Sequence, residues 1–191
     1  MSLEDIILEN RSTIISRWFK FIIESYPADT VQFIKRQSDA FANPIGSSIR
    51  DGVEGIVDGL ARSTAAGTID PDQMQPLLDR IIRVMALRDF SPSQSLRFIP
   101  ALKVILGEVT ARDVKKKGLG DEMAVVDDMV DELLFLGFDI YAACREKLGE
   151  IRLKDEQRRI HTLLRRARII CEREGIDLEI PDLRPAKNDV P

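Results

Sequence analysis

The single histidine is the first residue in this sequence whose chemistry could matter. His161 lies in a segment rich in arginine and lysine, downstream of the apolar residues expected to form the core. A haem group needs an axial ligand such as histidine inside its pocket, so the sequence predicts a domain without haem. A phosphate-accepting histidine is an alternative, but no nucleotide-binding motif accompanies it, which favours an ordinary surface residue.

Four neighbouring carboxylates are the other candidate, at Asp127, Asp128, Asp131 and Glu132. Side chains three and four residues apart are neighbours on a helix, and carboxylate oxygens can bind metal ions. No histidine joins them, however, and a solvated helix face is the ordinary meaning of such a cluster. The sequence also has no glycine-rich phosphate loop and no Ser-His-Asp arrangement that its one histidine could serve. We therefore predict no catalytic, cofactor-binding or metal-binding residues, and the chain is not expected to be an enzyme.

Composition indicates a water-soluble protein of one domain and an appendage. The chain has 191 residues, of which 44% are hydrophobic and 31% charged, with a net charge of −4. No apolar run approaches the roughly 20 residues of a membrane span, and the acidic start at Glu4 and Asp5 is unlike a secretory signal. Cys144 and Cys171 fall on one predicted helix, roughly 40 Å apart, which is too far for a disulfide. These features favour a reducing, cytoplasmic location.

Helix-start signals divide the chain into about six helices. An N-cap residue followed by proline or by a side chain that reaches back is typical of a helix N-terminus. Such signals occur at Ser2, Asn43-Pro44, Asp70-Pro71 and Ser91-Pro92. The first helix is predicted to run to about Tyr26, a short helix to follow from Asp29 or Thr30 to Ile34, and the helix after Ser91 to bend at Pro100.

Three glycines at helical spacing lie beside the apolar stripe of the helix after Asn43-Pro44. Each of Gly52, Gly55 and Gly59 costs about 1 kcal/mol relative to alanine inside a helix. A close crossing with another helix would offset that cost, and we favour it over the alternative of room for a ligand.

The helix from Ala124 to Leu148 is predicted to be the centre of the domain. Between Leu133 and Tyr141 apolar residues occupy almost every side of this helix, which predicts that the helix is buried on every side. A phenylalanine-rich interior near it is a candidate pocket or relay, and the candidate residues are Trp18, Phe41, Phe98, Phe135 and Phe138. Trp18 itself is interpreted as a core residue, since aromatic burial dominates core energetics.

After Gly149 the apolar pattern narrows to a seam of the coiled-coil type. Hydrophobic residues recur at alternating three- and four-residue steps, with Glu156 as the polar exception; they are Leu153, Ile160, Leu163, Ala167 and Ile170. The seam predicts a parallel homodimer. The segment from Arg145 to Glu174 carries a charge of +4, but it lacks stacking aromatics and acids interrupt it, which disfavours nucleic acid as its partner. The predicted organisation is a domain over residues 1–148, a linker helix over 149–174 and an extended or disordered tail over 175–191.

One run of residues resembles a family signature. The sequence from Ile82 to Gln94, together with Phe41–Gly46 and the early Trp18-Phe19, is similar to the N-terminal domain of RsbT co-antagonist proteins of the RsbRD type. This resemblance implies a globin-like, non-haem sensor domain for stress or two-component signalling. In relatives an output module, such as a kinase or a STAS domain, follows this domain. No such module is expected between this domain and Pro191. The family implies no catalytic residues for this chain.

Three functions remain as hypotheses. The first is a non-enzymatic input or adaptor domain that passes a core or ligand state through its C-terminal helix to a protein partner. The second is a binder of a small apolar or lipid-like molecule. The third is a nucleic-acid binder that uses the basic helix.

Overall fold

The computed structural model describes residues 2–26, 44–86 and 90–175. The regular structure of these residues is helical and forms seven segments: α1 (Leu3–Glu9), α2 (Arg11–Glu24), α3 (Pro44–Ser63), α4 (Pro71–Ala86), α5 (Pro92–Leu96), α6 (Phe98–Lys117) and α7 (Gly120–Glu174). The prediction of an all-α protein with a long C-terminal helix is confirmed. The helix expected near residues 29–34 and the tail after residue 175 lie outside the described residues.

Two of the predicted helix starts form complete capping boxes. Ser2 accepts a hydrogen bond from the backbone N–H of Asp5 at 3.2 Å, and the Asp5 carboxylate accepts one from the Ser2 N–H at 2.7 Å. Ser91 accepts from the Gln94 N–H at 3.3 Å, while the Gln94 side chain accepts from the Ser91 N–H at 2.9 Å. Each box satisfies two backbone groups that the first turn of a helix leaves without partners.

The Ser91 box gives a direct test of this local structure. We expect Ser91→Ala to lower the free energy of unfolding by about 1 kcal/mol, because the Gln94 N–H loses its acceptor. Ser91→Asp is the matched control, since aspartate is an equally good N-cap. Urea denaturation of the three proteins measures the difference, and equal stability of the serine and alanine proteins would contradict the assignment.

The structure corrects two helix boundaries. The first helix is not continuous to Tyr26 but is divided at Asn10, whose side-chain amide donates to the Ile6 carbonyl at 2.9 Å. An asparagine side chain that bonds the backbone competes with the helical ladder, so the break occurs there. The helix after Ser91 likewise does not bend at Pro100 but breaks at Arg97 and restarts at Phe98. Pro100 thus occupies the first turn of α6, where its missing N–H has no helical acceptor to lose.

The glycines of α3 mark a close crossing with α4, as predicted. A Cβ atom on Gly52 would lie 2.8 Å from the Leu77 carbonyl oxygen, and one on Gly55 would lie 2.6 Å from a methyl of Leu77. Gly59 meets the terminal methyl of Met74. The missing side chains therefore let the two helices approach, and this contact offsets their low helix propensity.

The core joins α2 to α6 through an indole hydrogen bond. Trp18 is buried, and its Nε1–H donates to the Phe98 carbonyl at 2.7 Å. The two rings also pack together, with centroids 6.0 Å apart. A buried tryptophan N–H needs such a partner, and the interpretation of Trp18 as a core residue is confirmed.

The chain divides into two compact units, Met1–Arg145 and Glu146–Pro191. The helix α7 contributes to both of them. Among the described residues, no helix is both long enough and apolar enough to cross a membrane.

Candidate interaction site on the long helix

The inner face of α7 closes the first unit. Its buried residues are Val126, Met129, Val130, Leu133, Gly137, Ile140 and Tyr141. Gly137 packs closely on two neighbouring helices, because a Cβ atom there would lie 2.7 Å from the Ile99 Cδ1 and 3.3 Å from the Ile82 Cδ1. A larger residue would have to displace the Ile99 side chain.

Polar contacts fix α7 against its neighbours in this unit. The Tyr141 hydroxyl donates to the Phe90 carbonyl at 3.2 Å, and the Arg145 guanidinium donates to the Ala86 carbonyl at 3.4 Å. Lys103 on α6 forms an ion pair with Asp131 at 2.7 Å. These contacts join α7 to the last residue of α4, to the residue before the Ser91 cap of α5 and to α6.

The outer face of α7 is open, which corrects the prediction of burial on every side. Phe135 is 72% exposed and Phe138 is 54% exposed. The apolar run from Leu133 to Tyr141 faces a packed layer on one side only, and among the described residues none covers the opposite side. Exposed carboxylates of Glu132 and Asp139 flank the two rings on the same stretch.

The structure does not gather the predicted pocket residues into one site. Trp18 and Phe98 pack against each other in the core. Phe135 and Phe138 lie on the surface, and Phe41 lies outside the described residues. The sequence did contain a signal for an outer face. From Gly120 to Ile140 there are seven acidic residues and no basic one, and acids interleaved with phenylalanines are typical of a side that meets solvent.

Asp127 is the carboxylate of the predicted acidic cluster that differs most from an ordinary surface residue. Its Oδ1 is buried without a hydrogen-bond partner among the described residues. Burial raises the pKa of Asp127 above its ordinary 3.8, Lys103 lowers it, and Asp131 and Asp128 raise it further. The described residues hold no group of three or more histidine, cysteine, aspartate or glutamate side chains arranged to bind a metal ion.

The raised pKa of Asp127 predicts that the stability of the folded protein depends on pH. The native protein keeps this proton at a pH where the unfolded chain has lost it, so stability falls as pH rises from about 3.8 through the raised value. We expect Asp127→Asn to raise the melting temperature at pH 7 and to change it less at about pH 3, where the unfolded carboxyl is largely protonated. Thermal unfolding at the two pH values measures this.

Asp128→Asn is the matched control, because Asp128 is exposed and should change the melting temperature little at either pH. A loss of stability in Asp127→Asn at pH 7 would mean that attraction to Lys103 outweighs burial.

The second unit presents apolar side chains without cover. Ile160 is 42% exposed and Leu163 is 63% exposed, and the other large seam residues, Leu153 and Ile170, are exposed as well. Ala167 is partly buried, His161 is exposed, and both Cys144 and Cys171 are partly buried. Between Gln157 and Cys171 the helix carries five arginines and no acid. We refer to Glu146–Glu174 as the C-terminal segment.

Comparison with known proteins places this chain in a signalling family. The model of the RsbT co-antagonist protein rsbRD N-terminal domain matches residues 12–155. The chain belongs to this family. The match begins in α2, includes α3 to α6 and continues along α7 into the C-terminal segment. It confirms the resemblance seen in the sequence, and it makes the chain a member of a regulatory family in stress signalling.

One relative matches this chain over most of the length of both proteins. An uncharacterized protein of Archaeoglobus fulgidus is 27% identical over 152 residues, which cover 78% of this chain and 85% of the relative. No solved structure matches the chain.

Proposed function

We propose that this chain is a non-enzymatic signalling input domain that acts as a homodimer through exposed apolar faces of α7. The observation that carries the proposal is the uncovered seam of the C-terminal segment, where Ile160 and Leu163 remain about half exposed. Family membership supports the signalling role. The globin-like character of the domain, its protein partner and its cytoplasmic location are parts of the same proposal.

The energetics of the C-terminal segment support a partner. An isolated helix in water is marginal and gains most of its stability from packing. Burying a leucine or isoleucine side chain contributes roughly 1.5–3 kcal/mol, and this segment has four such side chains along its seam. Contact with a second copy would bury these side chains. If the segment is stabilised only by that contact, its stability can respond to changes in the first unit of the chain.

The inner face of α7 supplies a route from domain to segment. Gly137 lies against Ile82 and Ile99, and Tyr141 and Arg145 bond to the backbone at the ends of neighbouring helices. A shift of α4 or α6 must therefore displace α7, because packed helices move as discrete units. This is the relay that the proposal requires.

The small apolar ligand has weaker support than protein contact. Two of its five candidate residues, Phe135 and Phe138, are on the surface, and two others, Trp18 and Phe98, fill space against each other. Nucleic acid remains disfavoured because no aromatic side chain accompanies the arginines of the C-terminal segment.

Native mass spectrometry together with sedimentation velocity tests the proposal. We expect a dimer at about 100 μM, which corresponds to an association free energy near −5.5 kcal/mol or better, and no retained small molecule. A monomer at that concentration would remove the basis for signalling through this segment. A stoichiometric lipid-like adduct would instead support the apolar-ligand function.

A further inference from the structure

We propose that the C-terminal segment of one copy packs in the antiparallel direction on the outer face of α7 in a second copy. The contact joins residues 159–166 of one chain to residues 132–139 of the other. The inference rests on the proposed function, in which α7 acts through contacts between copies, and it specifies which surface the exposed seam binds and in which orientation.

The first surface lies in the unit Met1–Arg145. It consists of Phe135 and Phe138, which are both exposed, between Glu132 and Asp139. Neither of these two carboxylates has an ion-pair partner in the part of the chain that the structure describes. Positions 132, 135, 138 and 139 follow the three- and four-residue spacing of one helix side. The result is an apolar centre with a negative charge at each end.

The second surface lies in the C-terminal segment and has the opposite charge. Ile160 and Leu163 are exposed, and Arg159 and Arg166 stand at the two ends. Neither arginine has an ion-pair partner within the described ranges, whereas the nearby Arg158 and Arg168 pair with acids of their own helix at 3.7 and 3.0 Å. This surface is an apolar centre with a positive charge at each end.

The two surfaces match when one of them is reversed. The first has the order acid, two residues, Phe, two residues, Phe, acid; the second has the order Arg, Ile, two residues, Leu, two residues, Arg. In antiparallel register Glu132 lies opposite Arg166 and Asp139 lies opposite Arg159. Phe135 then lies opposite Leu163, and Phe138 opposite Ile160. Each of these four charges meets its opposite, and each aromatic ring meets an aliphatic side chain.

The parallel pairing predicted from the seam alone gives a poorer match. Arg159 and Arg166 each come directly before a seam residue. In a parallel coiled coil, a residue i at such a position lies near residue i+5 of the second helix. For Arg159 and Arg166 these residues are Leu164 and Cys171 of the second copy, which carry no charge. Parallel pairing of the seam also gives no cover to Phe135 and Phe138. Charges beside a seam set the orientation of the pair, and here they favour the antiparallel contact.

A charge-reversal experiment tests the contact with full chains. The acid variant carries Glu132→Arg with Asp139→Arg, and the base variant carries Arg159→Glu with Arg166→Glu. Alone, each variant places like charges opposite each other, and we expect its dimer to dissociate about ten-fold more readily than the wild type, or more. Mixed in equal amounts, the two variants restore opposite charges at every position and should form a one-to-one dimer by sedimentation velocity.

A second base variant is the matched control for this mixture. Arg158→Glu with Arg165→Glu makes the same change of net charge one residue earlier, on a different side of the helix. We expect it not to assemble with the acid variant, and circular dichroism should show that all variants keep wild-type helicity. The proposal is overturned if the acid variant alone dimerises as tightly as the wild type, or if its mixture with the base variant is no stronger than its mixture with the control.

Disulfide trapping separates this contact from the parallel seam. In a background with Cys144→Ser and Cys171→Ser, a Phe135→Cys chain is mixed with a Leu163→Cys chain under mild oxidation. Disulfides form only when Cα atoms come within about 7 Å, so we expect a mixed covalent dimer and little self-linked Leu163→Cys protein.

Failure of the inference and failure of the proposed function give different results. Self-linking of Leu163→Cys, with no mixed product, would overturn the antiparallel contact and leave a parallel signalling dimer. A wild-type protein that is monomeric throughout would overturn the proposed function itself.

Discussion

A protein with aspartate in place of both Ile160 and Leu163 should be a folded monomer. These two side chains are about half exposed in one chain, so a dimer would gain about half of the roughly 1.5–3 kcal/mol available from each. Two copies contribute four side chains, and the loss is therefore about 3–6 kcal/mol. That corresponds to a dissociation constant raised by roughly 10²–10⁴-fold, before the cost of placing charge in an apolar contact is added. Light scattering over a concentration series measures it.

Two other isoleucines of the same helix provide the control. Ile151 and Ile169 are also exposed but lie off the seam, so Ile151→Asp with Ile169→Asp should leave the dimer intact. Both double variants should keep the helicity of the first unit. If the seam variant and the control have the same oligomeric state as the wild type, another surface makes the interface.

The Trp18→Ala protein should lose about 3–5 kcal/mol of stability. The indole is 1% exposed, packs on the Phe98 ring and donates to the Phe98 carbonyl, so truncation leaves a cavity and removes the partner of a buried acceptor. Single domains have only about 5–15 kcal/mol in total. The expected fall in melting temperature is roughly 6–20 °C, at about 2–4 °C for each kcal/mol in a chain of this size.

Trp18→Phe separates packing from hydrogen bonding. Phenylalanine keeps most of the ring but lacks the N–H, so we expect a smaller loss, near the roughly 0.5–1.5 kcal/mol of one hydrogen bond. Differential scanning calorimetry of the three proteins gives the comparison. An alanine variant as stable as the wild type would be incompatible with a structural role of the indole in the core.

Local chemistry explains which parts of the fold could be predicted from the sequence. The capping box of Ser91 with Gln94 depends on residues three apart, and the structure contains it. The glycines at 52, 55 and 59 cost helix propensity that only a close neighbour offsets, and α4 is that neighbour. Signals of this kind are complete within a few residues or within one helix face, so no knowledge of the remaining chain is needed.

The parts that could not be predicted depend on what lies across space. Asn10 and Arg97 interrupt helices although the apolar pattern continues through both positions, because the interruption depends on side-chain bonds and on the place of Pro100. Phe135 and Phe138 belong to an apolar run that periodicity alone interprets as buried. Whether an outer face is covered depends on a second layer, and the part of the chain that the structure describes places no such layer on this side of α7.

The close packing of Gly137 against Ile82 and Ile99 has a consequence for biosynthesis. The ribosome makes Ile99 roughly forty residues before it completes the inner face of α7, an interval of about 2–8 s at ordinary elongation rates. During that interval the apolar side chains of α4 and α6 that α7 will cover remain exposed on the nascent chain. Newly made α1 to α6 should therefore be a substrate for chaperones, and the nascent domain should become resistant to proteases only after Tyr141 has emerged.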